Sequence, residues 1–385
     1  MAVTKSKTVL LLLLIFSQFA GTSLWFAGNA IIDSLPNAAN NNYANLTSVV
    51  QLGFITGTLV FSLFAIADRF SSTTVFFISA IIASVANLGI IWMAGNVFQL
   101  SLLRFFTGFF LAGIYPVGMK IAADSFPEKV GKALGFLVGA LVLGTALPHL
   151  VRSQTNGVNW KVVIVITSAL AAFGGLMIFL FMPSKKPLQN TRPVKLTAAF
   201  HAFRSRAFRL VAYGYFGHMW ELYAFWAALP VLFIHYNSVN HTGINIYLWS
   251  FAVIASGSLG CAFGGMLSQQ WGSKKVAFYS LLLSGICCLV APFVFQLSSF
   301  LFLSIFLIWG FGVTADSPQF SALVAKYAEA KNKGTALTIV TSIGFSITII
   351  SIQLFKLLFQ QFGVNSLWLL LLGPVFGVIS LKRST

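Results

Sequence analysis

The stretch Tyr213–Pro230, YGYFGHMWELYAFWAALP, decides how this chain is read. It lies near the middle of an apolar run long enough to cross a bilayer, with a carboxylate, Glu221, at about its centre. A charge at that depth costs roughly 2.5–3.5 kcal/mol on insertion scales. The default reading is therefore functional, with the charge facing a water-filled path rather than lipid. At helical spacing Gly214, Gly217, His218 and Glu221 share one face. The plainer alternative is a Glu–His pair that only pins two helices together.

The rest of the chain has the same character. Of its 385 residues 58% are apolar and 8% charged, and its mean hydropathy is +0.88. Soluble domains carry about 25% charged residues, so this is a polytopic membrane protein. The net charge of +17 does not point to nucleic acid, because the basic residues sit in short segments between apolar runs. Cys261, Cys287 and Cys288 fall inside those runs and read as small buried residues, with no disulfide expected. The start, MAVTKSK and a long apolar run, imitates a signal peptide but continues through Ala30, as an uncleaved first helix would.

Twelve segments of spanning length can be drawn, at 8–34, 44–67, 73–95, 98–123, 131–151, 160–182, 208–236, 243–268, 274–294, 297–324, 334–358 and 363–381. The expected fold is an all-α membrane protein of twelve transmembrane helices in two pseudo-symmetric six-helix bundles. The bundles are 1–183 and 210–385. Between them, 184–209 is a basic linker with Lys185, Lys186, Arg192, Lys195, Arg204, Arg206 and Arg209, and no acid. Lys and Arg concentrate on the side of the chain ends and the linker, leaving Arg152, Lys161 and Lys356 near the other ends. That bias puts both termini in the cytoplasm. The compact loops suggest a bacterial inner membrane. A repeat runs at an offset of about 200 residues. Phe64–Thr73 matches Gly265–Lys274, Trp25 matches Trp226, Gly131 matches Gly334, and Pro116 matches Pro318.

On these residues the chain resembles the major facilitator superfamily. The loop between spans 2 and 3 keeps Ala67, Asp68 and Arg69 of the family pattern Gly-x-Leu-Ala-Asp-Arg-x-Gly-Arg-basic, with Phe64 for the first Gly and Ser71, Ser72 and Thr73 at its close. The second-half copy keeps Gly265, Leu267, Gly272, Lys274 and Lys275, with Gln269 for the acid. Arg104 and Gly108 look like the family's Arg-x-x-x-Gly motif. Residues 113–127 and 135–150 look like the nitrate/nitrite-porter branch. Spans 2 and 8 nevertheless lack the arginines with which that branch holds its anion, so nitrate is disfavoured.

The resemblance implies that spans 1, 4, 7 and 10 line a cavity, that 2, 5, 8 and 11 flank the interface between halves, and that 3, 6, 9 and 12 face outward. The deepest ionisable residues agree: Arg104 and Lys120 in span 4, His218 and Glu221 in span 7, Asp316 in span 10. Arg104 or Lys120 would meet a negative substrate group, and Glu221 or Asp316 would carry a proton. Cross-half pairs Arg104–Glu221 and Lys120–Asp316 are the structural alternative. Tyr115, Trp25, Trp226 and Asn29 are further candidates for substrate contact, although packing explains each aromatic as well. Pro116 and Pro318 mark helix breaks at matching places. By the resemblance, Asp68 and Arg69 form a cytoplasmic latch, with Asp68 near Gly334 at the start of span 11, Arg69 on Asp124, and Gly131 in the adjoining loop. His149 and Arg152 read as interface residues.

The expected function is a secondary active transporter working by alternating access, with protons as the coupling ion and a small organic anion or zwitterion as substrate. Drug or metabolite efflux by proton antiport, and a transporter-like receptor, are the alternatives. Hydrolase motifs and an ATP-binding loop are absent, so neither an enzyme nor a primary pump is expected. No cofactor, metal or nucleic acid is expected, and the chain is expected to work as a monomer.

Overall fold

The computed structural model describes residues 6–35, 43–127, 130–155, 159–183, 202–328 and 333–383. Most of the basic linker, 184–201, lies outside the described residues. The helices are α1 (Lys7–Thr22), α2 (Tyr43–Leu63), α3 (Ile66–Arg69), α4 (Ser72–Met93), α5 (Val97–Leu111), α6 (Tyr115–Ser125), α7 (Val130–Gln154) and α8 (Trp160–Phe181) in the first half. The second half has α9 (Arg206–Asn240), α10 (Ile246–Trp271), α11 (Ser273–Val294), α12 (Ser299–Ala315), α13 (Ser317–Tyr327), α14 (Lys333–Phe362) and α15 (Trp368–Lys382). No strand occurs among the described residues.

Ten runs among the described residues are long and apolar enough to cross a membrane. The last, Gly334–Lys382, contains two helices, and Lys7–Thr22 is a shorter apolar helix, so the runs correspond to the twelve expected segments. Large apolar side chains are exposed on the outside, among them Trp92 at 71% and Phe300 at 78%. Soluble monomers rarely expose contiguous apolar surface on this scale, whereas lipid requires it.

Span 4 breaks at Ala112–Ile114, just before Pro116, and span 10 breaks at Asp316, just before Pro318, as the prolines foretell. Proline sits in the first turn of α6 and α13, where its missing N–H leaves no bond unmade. Span 1 departs from its expected form. The helix stops at Thr22, and a 3-10 turn, Asn29–Ser34, ends the span.

Two matching glycine sets hold each half together. A Cβ on Gly53 or Gly57 would lie 2.0 or 2.2 Å from the carbonyl oxygen of Phe105 or Phe109, so α2 runs directly on the backbone of α5. Gly260 and Gly264 seat α10 on the carbonyls of Phe311 and Ala315 in the same way. Gly108 and Gly310 return the contact onto Val50 and Val253. These small-residue pairs therefore bind helices within a half. The Gly135/Gly139 pair is looser, because a Cβ on Gly135 would meet nothing within 4 Å. The halves meet along α7 with α10 and α2 with α14, the spans expected at the interface.

Candidate functional site

Between the halves lies a cavity of about 870 Å³. Its wall alternates by symmetry. Thr58 and Phe61 of α2, Tyr115, Pro116 and Lys120 of α6 and Val138 of α7 face Gly265 and Gln269 of α10, Pro318 and Gln319 of α13 and Thr341 of α14. It opens at the end that carries the loop between α2 and α4, where Lys132, Gln269 and Gly334 are exposed. Hydroxyl and amide groups dominate its polar lining. Its charged lining residues are Asp68, Lys120 and Lys132.

One helical turn deeper, the path is shut by aromatic rings from both halves. Phe54 meets Phe345 at 4.6 Å between ring centroids. Trp25 stacks on Tyr223 at 5.8 Å and on Phe345 at 5.5 Å. Phe26 packs on Tyr223 and, edge-on, on Trp226. All six rings are buried. Beyond this plug, polar bonds join the halves at the far end. The Tyr247 hydroxyl donates to Asp33, and Gln353 Nε2 donates to Ser48 at 2.9 Å and Asn45 at 3.3 Å. The molecule is open at one end and closed at the other.

The family model of the Major Facilitator Superfamily matches residues 10–352. The chain belongs to the major facilitator superfamily. It is thereby a secondary transporter of small solutes embedded in a membrane as a multi-pass protein. A comparison with curated proteins gives no match.

This facilitator distributes its buried charges differently from the sequence expectation. Glu221 does not face a water path. It is completely buried on α9 and takes three hydrogen bonds, from Trp309 Nε1 at 2.6 Å, Ser284 Oγ at 3.0 Å and Cys288 Sγ at 3.2 Å. Its face is covered because Gly214 packs on Phe320 and Gly217 on the backbone of α15. Glu221 thus ties α9 to α11 and α12 inside one half. We expect Glu221→Gln to keep its transport rate within about twofold and to lose about 1–3 kcal/mol of stability as one donor meets an amide N–H. Thermal unfolding and liposome flux check both, and loss of flux in a folded variant would contradict this assignment.

Arg104 is also fully buried and forms no pair with Glu221. Its guanidinium donates to the carbonyls of Trp25 and of Leu24 (3.1 Å) and to Asn87 Oδ1 at 3.4 Å. These are the carbonyls freed where α1 stops, so Arg104 satisfies the break in span 1. A buried acceptor left unmade costs about 1–3 kcal/mol. Arg104→Lys, with a single ammonium in place of a planar fork, is expected to lose about that much in thermal unfolding. Unchanged stability would contradict the clamp.

Lys120 does not reach Asp316. It pairs with Asp68 and donates to the Ala67 carbonyl at 2.6 Å, at the cavity mouth. Asp68 and Gly334 both line that mouth. Ala65, just ahead of this loop, takes a left-handed conformation (φ 49°) that glycine would adopt more easily. Asn29 donates to Thr47 at 2.6 Å and ties the end of span 1 to α2.

A buried ionisable pair, His218–Asp316, stands outside the cavity lining. Both are buried, with His218 Nδ1 2.9 Å from Asp316 Oδ1 and His218 Nε2 2.9 Å from Ser317 Oγ. His218 stands on the unbroken α9 and holds the joint between α12 and α13. The next two residues, Pro318 and Gln319, line the cavity. Of the expected site residues, Tyr115, Pro116, Lys120, Asp68, Gly131 and Pro318 line the cavity, while Trp25 and Trp226 belong to the plug. The roles of Thr58, Gln319 and Thr341 are not legible in sequence, since nothing distinguishes a cavity hydroxyl from one bonded along its own helix.

Proposed function

We propose that this facilitator moves a small organic anion or zwitterion by alternating access, driven by protons carried on the His218–Asp316 pair. The observation that carries the reading is the cavity between the halves, open at one end and stopped by rings from both halves at the other. A rocking motion that parts Trp25 from Tyr223 and Phe54 from Phe345 would open the closed end. The glycine-seated pairs α2–α5 and α10–α12 would move as rigid bodies.

The lining favours an anion, with two cations and one acid at the mouth. The open end carries Lys120, Lys132, Lys274, Lys275 and Lys326, whereas Arg152, Lys161 and Lys356 lie toward the closed one. On the Lys/Arg rule the open end faces the cytoplasm, with both termini. Asp68 and Lys120 then act at the cytoplasmic mouth, and the two bundles are 1–183 and 210–385 about a cytoplasmic linker.

Proton coupling rests on position. A buried pair in a membrane is costly unless it does work, and this one bridges the joint of a broken helix whose next turn lines the cavity. The test is a panel of small carboxylates and zwitterions applied to proteoliposomes under an imposed pH gradient. A solute-evoked current or accumulation is expected. Silence in current, accumulation and counterflow alike would contradict transport.

A further inference from the structure

Near the closed end, span 5 carries two buried polar side chains that the transport reading does not use. Arg152 is 1% exposed and His149 is completely buried, one turn apart on α7. Arg152 Nη2 donates to Ser34 and lies 3.6 Å from Asp33 Oδ1. Among the described residues its Nε and Nη1, and the two ring nitrogens of His149, have no hydrogen-bond partner. A guanidinium that keeps two unmade bonds in a buried place is expensive, because each missing partner costs a full desolvation penalty.

The surroundings are flat and apolar. The Arg152 guanidinium lies over the ring of Tyr247, 5.4 Å from its centre, and His149 stacks on the same ring at 6.3 Å. Phe26 packs against His149 at 6.4 Å and against Trp226 at 6.2 Å. Trp226 Nε1 also has no hydrogen-bond partner among the described residues. Tyr247 belongs to the second half, whereas Asp33, Ser34, His149 and Arg152 belong to the first. When the halves part at this end, Tyr247 leaves and the two spare Arg152 donors and His149 face the gap.

We infer that Arg152 and His149 form the entry site for the substrate's carboxylate, with its apolar body lying on Phe26 and Trp226. Arg152 can give a carboxylate a planar two-point fork only on an edge that joins Nε or Nη1 to the second hydrogen of Nη2, whose first is held by Ser34. The ligand class is a small aromatic or otherwise flat organic monocarboxylate. Return of Tyr247 covers the site, and its hydroxyl then bonds Asp33. The inference rests on the alternating-access reading and adds to it the residue that meets the anion.

The probe is benzoate, the smallest ligand that joins a carboxylate to a flat apolar body. Its binding to the purified full-length protein in detergent is measured by titration calorimetry and tryptophan fluorescence. Saturable binding is expected in the wild type. Arg152→Gln is expected to weaken it at least tenfold, and Arg152→Lys by less. Tyr247→Phe keeps both donors but loses the bond to Asp33, and is expected to bind at least as tightly as the wild type. No saturable binding in the wild type, equal binding by Arg152→Gln, or a loss in Tyr247→Phe as large as in Arg152→Gln would each overturn the site. Binding in detergent needs no flux. Failure of transport with benzoate binding intact would therefore strike the transport reading, and flux of another solute without benzoate binding would strike this inference.

Discussion

Asp316→Asn is expected to abolish proton-driven accumulation, by a hundredfold or to background, while leaving exchange of solute across the membrane at equal pH. Asp316 sits at the joint between α12 and α13, 1% exposed, with the His218 ring 2.9 Å away. In a bilayer, separating an acid from its imidazole partner is costly. α13 cannot tilt away from α9 without separating them. An amide at position 316 removes the charge that makes the joint sensitive to a proton but keeps its size and its place at the start of α13. The joint then moves whether or not a proton is present, which is uncoupling. Counterflow should persist, because the cavity wall from Pro318 to Ala325 is unchanged. Uptake driven by a pH gradient, set beside counterflow at matched pH, makes the measurement. A folded Asp316→Asn that accumulates solute normally would remove the pair from the coupling path.

The second large effect is structural. Gly53→Leu and Gly260→Leu are each expected to prevent recovery of monodisperse protein. A Cβ at either position would stand 2.0 or 2.2 Å from a carbonyl oxygen of the facing helix. A backbone oxygen cannot swing aside as a side chain can, so the helices must separate by ångströms. Overpacking a membrane core by that much costs well over the usual 1–3 kcal/mol, because the interface has little besides close contact to hold it. Gly135→Leu supplies the comparison. Its Cβ would meet nothing within 4 Å, and that variant should purify like the wild type. Size-exclusion profiles of the three variants decide the matter, and indistinguishable profiles would contradict the packing described.

The fold was legible in the sequence for physical reasons. A spanning-length apolar run satisfies its backbone in lipid by forming a helix, and Pro116 and Pro318 fall at the breaks of spans 4 and 10, whereas Pro148, Pro230, Pro292 and Pro374 sit inside unbroken helices. The break in span 1 was not legible. It depends on Arg104, some eighty residues away, supplying donors to the carbonyls of Leu24 and Trp25. Glu221 was misread for a related reason. A carboxylate in an apolar run signals a cost that something must offset, but the run does not say what. Here the offset comes from Ser284, Cys288 and Trp309, residues that read locally as packing. Lys120 likewise chose the near acid, Asp68, over the distant Asp316. Residue type and depth point to helices, and the pairing had to come from three dimensions.

In alternating access the cavity is exposed to the two ends in turn. Spin labels on Ala123→Cys and Ala325→Cys, which line the cavity toward its mouth, report that end. Labels on Asn45→Cys and Gln353→Cys, whose native side chains bond across the halves, report the other. The three native cysteines are buried. Pulsed electron–electron distances across a range of pH, with and without a transported solute, should show two populations that change in opposite senses, the mouth pair shortening as the far pair lengthens. Both distances fixed under every condition, or moving together, would contradict alternating access.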